Sequence, residues 1–256
     1  MPDKINPMSH EQRIAVRATQ DNKPLFTVRW ERALFEHFRI VDEGWFAQRL
    51  PKGLVLDKHD GSAYMSIVSF HMADMRWRNL LRIPAAHTYP QINVRVYVRS
   101  QDKAGVLFLR NYVSNPTASW AGRVMYGMPY RYQPIVFSES PDRSWSYKAS
   151  LTSDLQHEIE GAVGTQLTGH ENDPEQLLFF LVERYPLFSQ RGWLLSSTYV
   201  AQMYHPPWAL YECKVLRRTT GILNHLGLTD VVTPLNEVQI SPGVDVQMWG
   251  PQRLKL

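Results

Sequence analysis

The sequence predicts an α+β fold, mainly antiparallel β, in which one large curved sheet or barrel carries three or four peripheral helices. Three observations predict it. Segments rich in β-branched and aromatic residues recur along most of the chain, and QINVRVYVR (91–99) alternates strictly between apolar and polar. Helix-start and helix-stop residues mark only a few short segments. The 256 residues, 44% of them hydrophobic, supply enough apolar material for a sizeable core.

The elements follow in order. MSHEQRIAVRATQ (8–20) predicts a short helix, with Ser9 as N-cap and Gln12 three residues on. Residues 1–25 therefore read as an N-terminal helical extension and residues 26–256 as a single domain. VDEGWFAQRLP (41–51) predicts a second helix, begun by Asp42 and stopped before Pro51. Asp57, His59 and Asp60 in LDKHDG read as a solvated turn, and SAYMSIVSF (62–70) as a strand. In QINVRVYVR, Ile92, Val94, Val96 and Val98 share one face, and Asn93, Arg95, Tyr97 and Arg99 the other. On an ordinary sheet that second face is the wet side; in a closed barrel it lines a polar cavity, with Arg95 as an anion anchor. GVLFLRNYV (105–113) is an apolar run fit for a buried strand. Asn115, Pro116 and Gly127 then mark the cap, first turn and end of a helix. Further strands are expected near 131–138, 144–152, 193–203 and 209–217. EGAVGTQLTGHEND (160–173) reads as an exposed loop. DPEQLLFFLVERYP (173–186) reads as a helix with Asp173 as cap and Pro186 beyond its end.

Composition bounds the function. The net charge is +4, with 20 arginines against 8 lysines. Arginine suits bidentate recognition of carboxylate or phosphate, but its dispersal along the chain argues against nucleic acid. A single cysteine, Cys213, fits a reducing compartment and reads as a buried small residue. With no apolar run of membrane-spanning length and no leader-like start, the expected address is the cytoplasm. No Gly-rich dinucleotide or phosphate loop, no metal-ligand spacing and no nucleophile elbow occurs, so neither a cofactor nor a metal is expected. His205 in YHPPW is held by two prolines. It reads either as a general acid or base, or as a strand-end cap bonded to a carbonyl.

Seven segments in order carry a resemblance: LPKGLVLDKHDGSAYMSIVSF (50–70), YPQINVRVYV (89–98), GVLFLRNYV (105–113), GRVMYGMPY (122–130), FFLVERYPLF (179–188), HPPWAL (205–210) and SPGVDVQMW (241–249). The chain resembles the YqjF-like proteins of the acetoacetate decarboxylase-like fold. The resemblance implies curved sheets forming a cone or barrel around an internal cavity, and a homo-oligomeric habit. Acetoacetate decarboxylases carry a Gly-Arg pair followed, five residues on, by Pro-Lys-Lys, whose first lysine forms an imine with the keto substrate. Gly122 and Arg123 match the pair and Pro129 the proline; Tyr130 then stands at the imine position and Arg131 beside it. A phenol cannot condense with a ketone. Gln91 stands where relatives commonly carry a glutamate, and it can hydrogen-bond but not take a proton.

The reading that follows is a pocket for a small organic acid or carbonyl compound, without imine chemistry. Arg95, Arg123 and Arg131 serve the anionic end, and Gln91, Asn93 and Tyr130 supply hydrogen bonds. If the pocket turns a ligand over, the step is lyase-like or hydrolytic, with Tyr130 and His205 as proton-transfer groups. The alternative is a non-catalytic binding or protein-interaction module built on the same fold.

Overall fold

The structure, a computed structural model, describes residues 23–78, 80–83, 88–100, 103–173, 175–191 and 197–255. The helix expected at 8–20 lies outside them. In chain order the elements are β1 (Phe26–Ile40), α1 (Glu43–Ala47), β2 (Val55–Leu56), β3 (Lys58–His59), β4 (Ser62–Trp77), β5 (Leu81–Arg82), β6 (Thr88–Arg99), β7 (Ala104–Val113), α2 (Pro116–Tyr126), β8 (Tyr130–Tyr132), β9 (Ile135–Glu139), β10 (Ser144–Ser150), β11 (Gln156–Leu167), α3 (Leu177–Val182), β12 (Pro186–Arg191), β13 (Ser197–Tyr204), β14 (Tyr211–Thr220), α4 (Gly221–His225), β15 (Val232–Met248) and β16 (Gln252–Arg253).

The strands form one large, mostly antiparallel sheet. Its path is β16-β13-β12-β7-β6-β4-β1-β15-β14-β11-β10-β9, and β13 also pairs with β15 through Met203–Met248 and Tyr204–Gln247. The long strands β1, β4 and β6 lie at its centre and are buried on both faces. On one face Leu34, Phe38, Met65, Ile67, Ile92, Val94 and Val96 belong to a first apolar core, closed by the β9–β10–β11 arm. On the other, Phe35, Val68, Phe70, Tyr89 and Tyr97 belong to a second core, closed by β12, β13 and α3. Each branched side chain removed from water there contributes about 1.5–3 kcal/mol.

Double burial settles the question left open by the alternating strand. Gln91, Asn93, Arg95 and Tyr97 do not face solvent; all are buried in the second core. A bulge between Val94 and Arg95 shifts the pairing with β7, so that Arg110 stands opposite Val94 and Asn111 opposite Asn93.

Local signals explain the helices. The Asp42 carboxylate accepts from the Trp45 amide at 3.0 Å and starts α1. Asn115 accepts from the Ala118 amide at 2.9 Å and starts α2, which ends on Gly127 in the left-handed conformation. Two expectations are corrected. Residues 160–167 are not loop but the second half of β11, paired with β14. The segment 173–186 is helical only over α3, after which Glu183, Arg184 and Tyr185 leave the helix and turn inward.

Candidate functional site

Asn93, Arg95, Arg184 and His205 share the wall of a small polar chamber in the second core, closed by Trp30, Phe35, Phe108, Met203 and Trp208. Its free volume is about 10 Å³, room for one water-sized group. Arg95 is only 8% exposed. Its Nη2 donates to the Leu181 carbonyl at 3.4 Å, and its guanidinium lies 5.8 Å from the ring centroids of Phe35 and Tyr97. Its Nε has no partner, and among the described residues it makes no ion pair. Buried charge without an opposite charge is costly. On the same pair of strands Asn93 Oδ1, Asn111 Oδ1 and Gln91 Oε1 are also buried and unpartnered.

Arg184, also in the wall, is neutralised. Its Nη1 donates to Asp57 Oδ2 at 2.6 Å, its Nε donates to the Phe180 carbonyl at 2.6 Å, and it lies 3.9 Å above the Phe180 ring. Asp57 is therefore corrected from a solvated turn residue to a buried ion-pair partner. His205 packs against Tyr185 at 4.7 Å and Trp208 at 5.4 Å between ring centroids. Its Nδ1 lies 2.9 Å from the Pro206 carbonyl, which can only accept, so Nδ1 carries a proton. Burial draws the imidazole pKa down, against the pull of Glu183 and of backbone hydrogen bonds at Pro206 and Arg184. Burial alone would raise the Glu183 pKa; hydrogen bonds from His170, Tyr185 and the Trp208 amide, with the nearby His205, reverse the sign. Glu183 is thus a fixed anion behind the chamber, held by Tyr185 at 2.5 Å and His170 at 3.1 Å.

A second chamber of about 120 Å³ lies further along the same strands. It is apolar, bounded by Phe26, Met72, Tyr89 and Met248 on the sheet, by Ala121, Gly122 and Met125 on α2, and by Tyr130. Tyr130 bonds to Gln91, which stands on β6 between Tyr89 of this chamber and Asn93 of the polar one. Burial pushes the Tyr130 hydroxyl up to about 12, partly offset by Gln91. It is a hydrogen-bond donor near neutral pH, not a base. Gly122 has a steric reason: a Cβ there would lie 2.6 Å from the Tyr130 ring. No lysine lines either chamber.

The two remaining candidates lie elsewhere. Arg131 is exposed, because β8 alternates. Tyr130 sits beside Asn111 and turns in, whereas Arg131 sits beside Tyr112. Arg123 is exposed on α2, with Nε 3.3 Å from its own Ser119 carbonyl. Neither lines a chamber. Sequence reasoning missed Arg184, Glu183 and the paired tryptophans Trp30 and Trp208. The available signal was the ERYP run, where charge directly follows the apolar LLFFLV.

A sheet of this order, with a polar seam inside its second core, is the acetoacetate decarboxylase-like fold. An acetoacetate decarboxylase from Legionella pneumophila is similar over 100% of this chain and 98% of its own, with a TM-score of 0.66 and 11% identity. The enduracididine biosynthesis enzyme MppR, in complex with pyruvate, is similar over 93% of each chain, with a TM-score of 0.64 and 14% identity. These likenesses show the fold alone. Within it the chain belongs to the DUF2071 family of uncharacterised conserved proteins, matched over residues 27–245. Uncharacterised protein YqjF of Bacillus subtilis is 25% identical over 200 residues, covering 78% of this chain and 81% of that protein. Among the described residues no helix is long and apolar enough to cross a membrane, and no cluster of three metal-ligating side chains occurs.

Proposed function

We propose that the chain binds a small organic acid or carbonyl compound inside the sheet, with Arg95 as the anion anchor and without imine formation. The observation that carries this reading is Arg95 itself: a buried guanidinium with an unpartnered Nε and, among the described residues, no ion pair. Such an arrangement is costly unless a ligand completes it. Asn93 and Gln91 are the hydrogen-bonding groups. Tyr130 donates to a carbonyl oxygen at the inner end of the apolar chamber. The pyruvate bound by MppR supports this ligand class by analogy of fold. Arg123 and Arg131, being exposed, are left out of the pocket.

A thermal-shift comparison of wild type, Arg95→Met and Arg131→Ala with short oxo, hydroxy and dicarboxylic acids tests the reading. Acids are expected to stabilise wild type and Arg131→Ala but not Arg95→Met. Without ligand, Arg95→Met is expected to be more stable than wild type by roughly 1–2 kcal/mol, the lower part of the range for replacing buried charge with apolar volume. The lost contacts with Phe35 and Tyr97 offset part of that gain. No stabilisation of any of the three proteins, or stabilisation that survives Arg95→Met, contradicts it.

The alternative, a protein-interaction module, is favoured by one observation. Leu80, Leu81, Trp120 and Val124 are 57% or more exposed, an apolar surface that partners cover in many proteins.

A further inference from the structure

We infer that the surface cavity between α1, β7 and the end of α4 is a second ligand site, for an acid carrying a ring or short chain, independent of the Arg95 pocket. The cavity measures about 200 Å³, more than the roughly 150 Å³ of an apolar cavity that accepts benzene. Trp45, Phe46 and Leu50 wall it on one side, Leu226 and Leu228 on another, and Leu109 from the sheet. Phe46 and Leu228 are members of the first core and almost completely buried. The cavity is therefore a dent in that core, and an apolar body entering it leaves water as a core side chain does.

The charged side chains in its wall are Arg49 and Arg110, and among the described residues no carboxylate lines it. The β7 bulge aims the second of them. Strict alternation would send Leu109 and Arg110 to opposite faces. Instead Phe108 stands opposite Arg95 and Arg110 opposite Val94, which leaves Leu109 unpaired on β6. Arg110 thus joins Leu109 and Val94 on the side of the first core, while Phe108 stays with the second.

Arg110 is half-buried, and its Nε is buried without a partner. Arg49 is held across the Trp45 ring, 4.1 Å from its centroid, with Nη1 donating to the Trp45 carbonyl at 2.8 Å. Among the described residues neither arginine makes an ion pair. One guanidinium is preset on an indole and the other is partly withdrawn from water, so an anion is their complement. Head and body are recognised within one cavity, on the face of the sheet opposite the Arg95 chamber. A three-carbon acid supplies the head without the body.

Calorimetric titration of the full chain with 3-phenylpropionate, 3-phenylpropanol and acetate tests this, repeated on Arg110→Met, Arg49→Gln and Arg123→Ala. Wild type is expected to bind 3-phenylpropionate about tenfold or more tighter than the uncharged alcohol or the bodiless acid, as a charge-assisted hydrogen bond and a buried ring each supply. Arg110→Met is expected to lose about that factor, and Arg49→Gln about fivefold, the smaller effect of an exposed pair. Arg123→Ala, a control for general surface charge, is expected to bind as wild type does. Equal affinity of wild type for acid and alcohol, or no binding of the acid, overturns the inference. Affinity undiminished in Arg110→Met or Arg49→Gln, or lost in Arg123→Ala, overturns it by placing the acid elsewhere. Arg49 is exposed, so the wild-type series with Arg49→Gln decides the matter even where Arg110→Met does not fold.

Discussion

Acidification from pH 7 to pH 5 is expected to cost the protein roughly 3 kcal/mol of folding stability, with about two protons taken up on unfolding near pH 5. The cause is a set of histidines buried neutral. Burial, reinforced by Arg95, lowers the His37 pKa to about 3; burial lowers those of His71 and His157 to about 4, helped by Arg32 and Arg218 respectively. His205 is lowered as well, chiefly by burial. Each has a folded pKa below its unfolded value, so each stabilises the fold above about pH 6.5 and loses that contribution as pH falls. Glu36 acts in the opposite direction. Burial raises its pKa to about 7 despite its 2.8 Å bond from Arg218 Nε. The folded protein holds a proton there that the unfolded chain releases, which favours folding at lower pH. His37, His71 and His157 against Glu36 leave about two protons, and His205 acts in the same direction as the other histidines. Urea titrations at intervals between pH 7 and pH 5 measure the slope. A flat profile would mean that the histidines are charged in the folded protein.

Asp57→Ala is expected to destabilise the protein by about 3–5 kcal/mol, the cost of leaving a buried charge without its partner. Asp57 and Arg184 are both almost completely buried, and Arg99 Nε stands 3.9 Å from Asp57 as a second cation. Removing the carboxylate takes from the Arg184 guanidinium, which lies beside Phe180 and Tyr97, the ionic partner 2.6 Å from its Nη1. The double variant Asp57→Ala/Arg184→Leu is expected to recover much of the loss, because an apolar pair tolerates the same site. Chemical denaturation of both variants checks this. A double variant no more stable than Asp57→Ala would locate the cost in packing rather than charge.

Much of the fold was legible in the chain. The Asn115 and Gly127 punctuation marked α2, and the alternation of QINVRVYVR marked β6. Strands β1 and β15 were harder to read, because β1 is buried on both faces over much of its length and a bulge interrupts their pairing. Residues 160–167 resembled a loop because of their glycines, yet Gly161 is there for close approach: a Cβ would fall 2.2 Å from Cys213 Sγ across the β11–β14 pair.

The site was legible where one strand carries it and obscure where the chain is far apart. Gln91, Asn93 and Arg95 lie on one face of β6, so the strand period alone groups them. The same period separates Tyr130 from Arg131, a signal that resemblance to a lysine pair overrode. Asp57 and Arg184 are 127 residues apart, and nothing local in either segment announces the partner.

The most direct test of the account is a crystal structure of the protein with bound pyruvate. Its carboxylate is expected within hydrogen-bond distance of Arg95 Nε, with Asn93 alongside. An acid bound at exposed Arg131, or in the surface cavity between Arg49 and Arg110, with Arg95 still unpartnered, would contradict it.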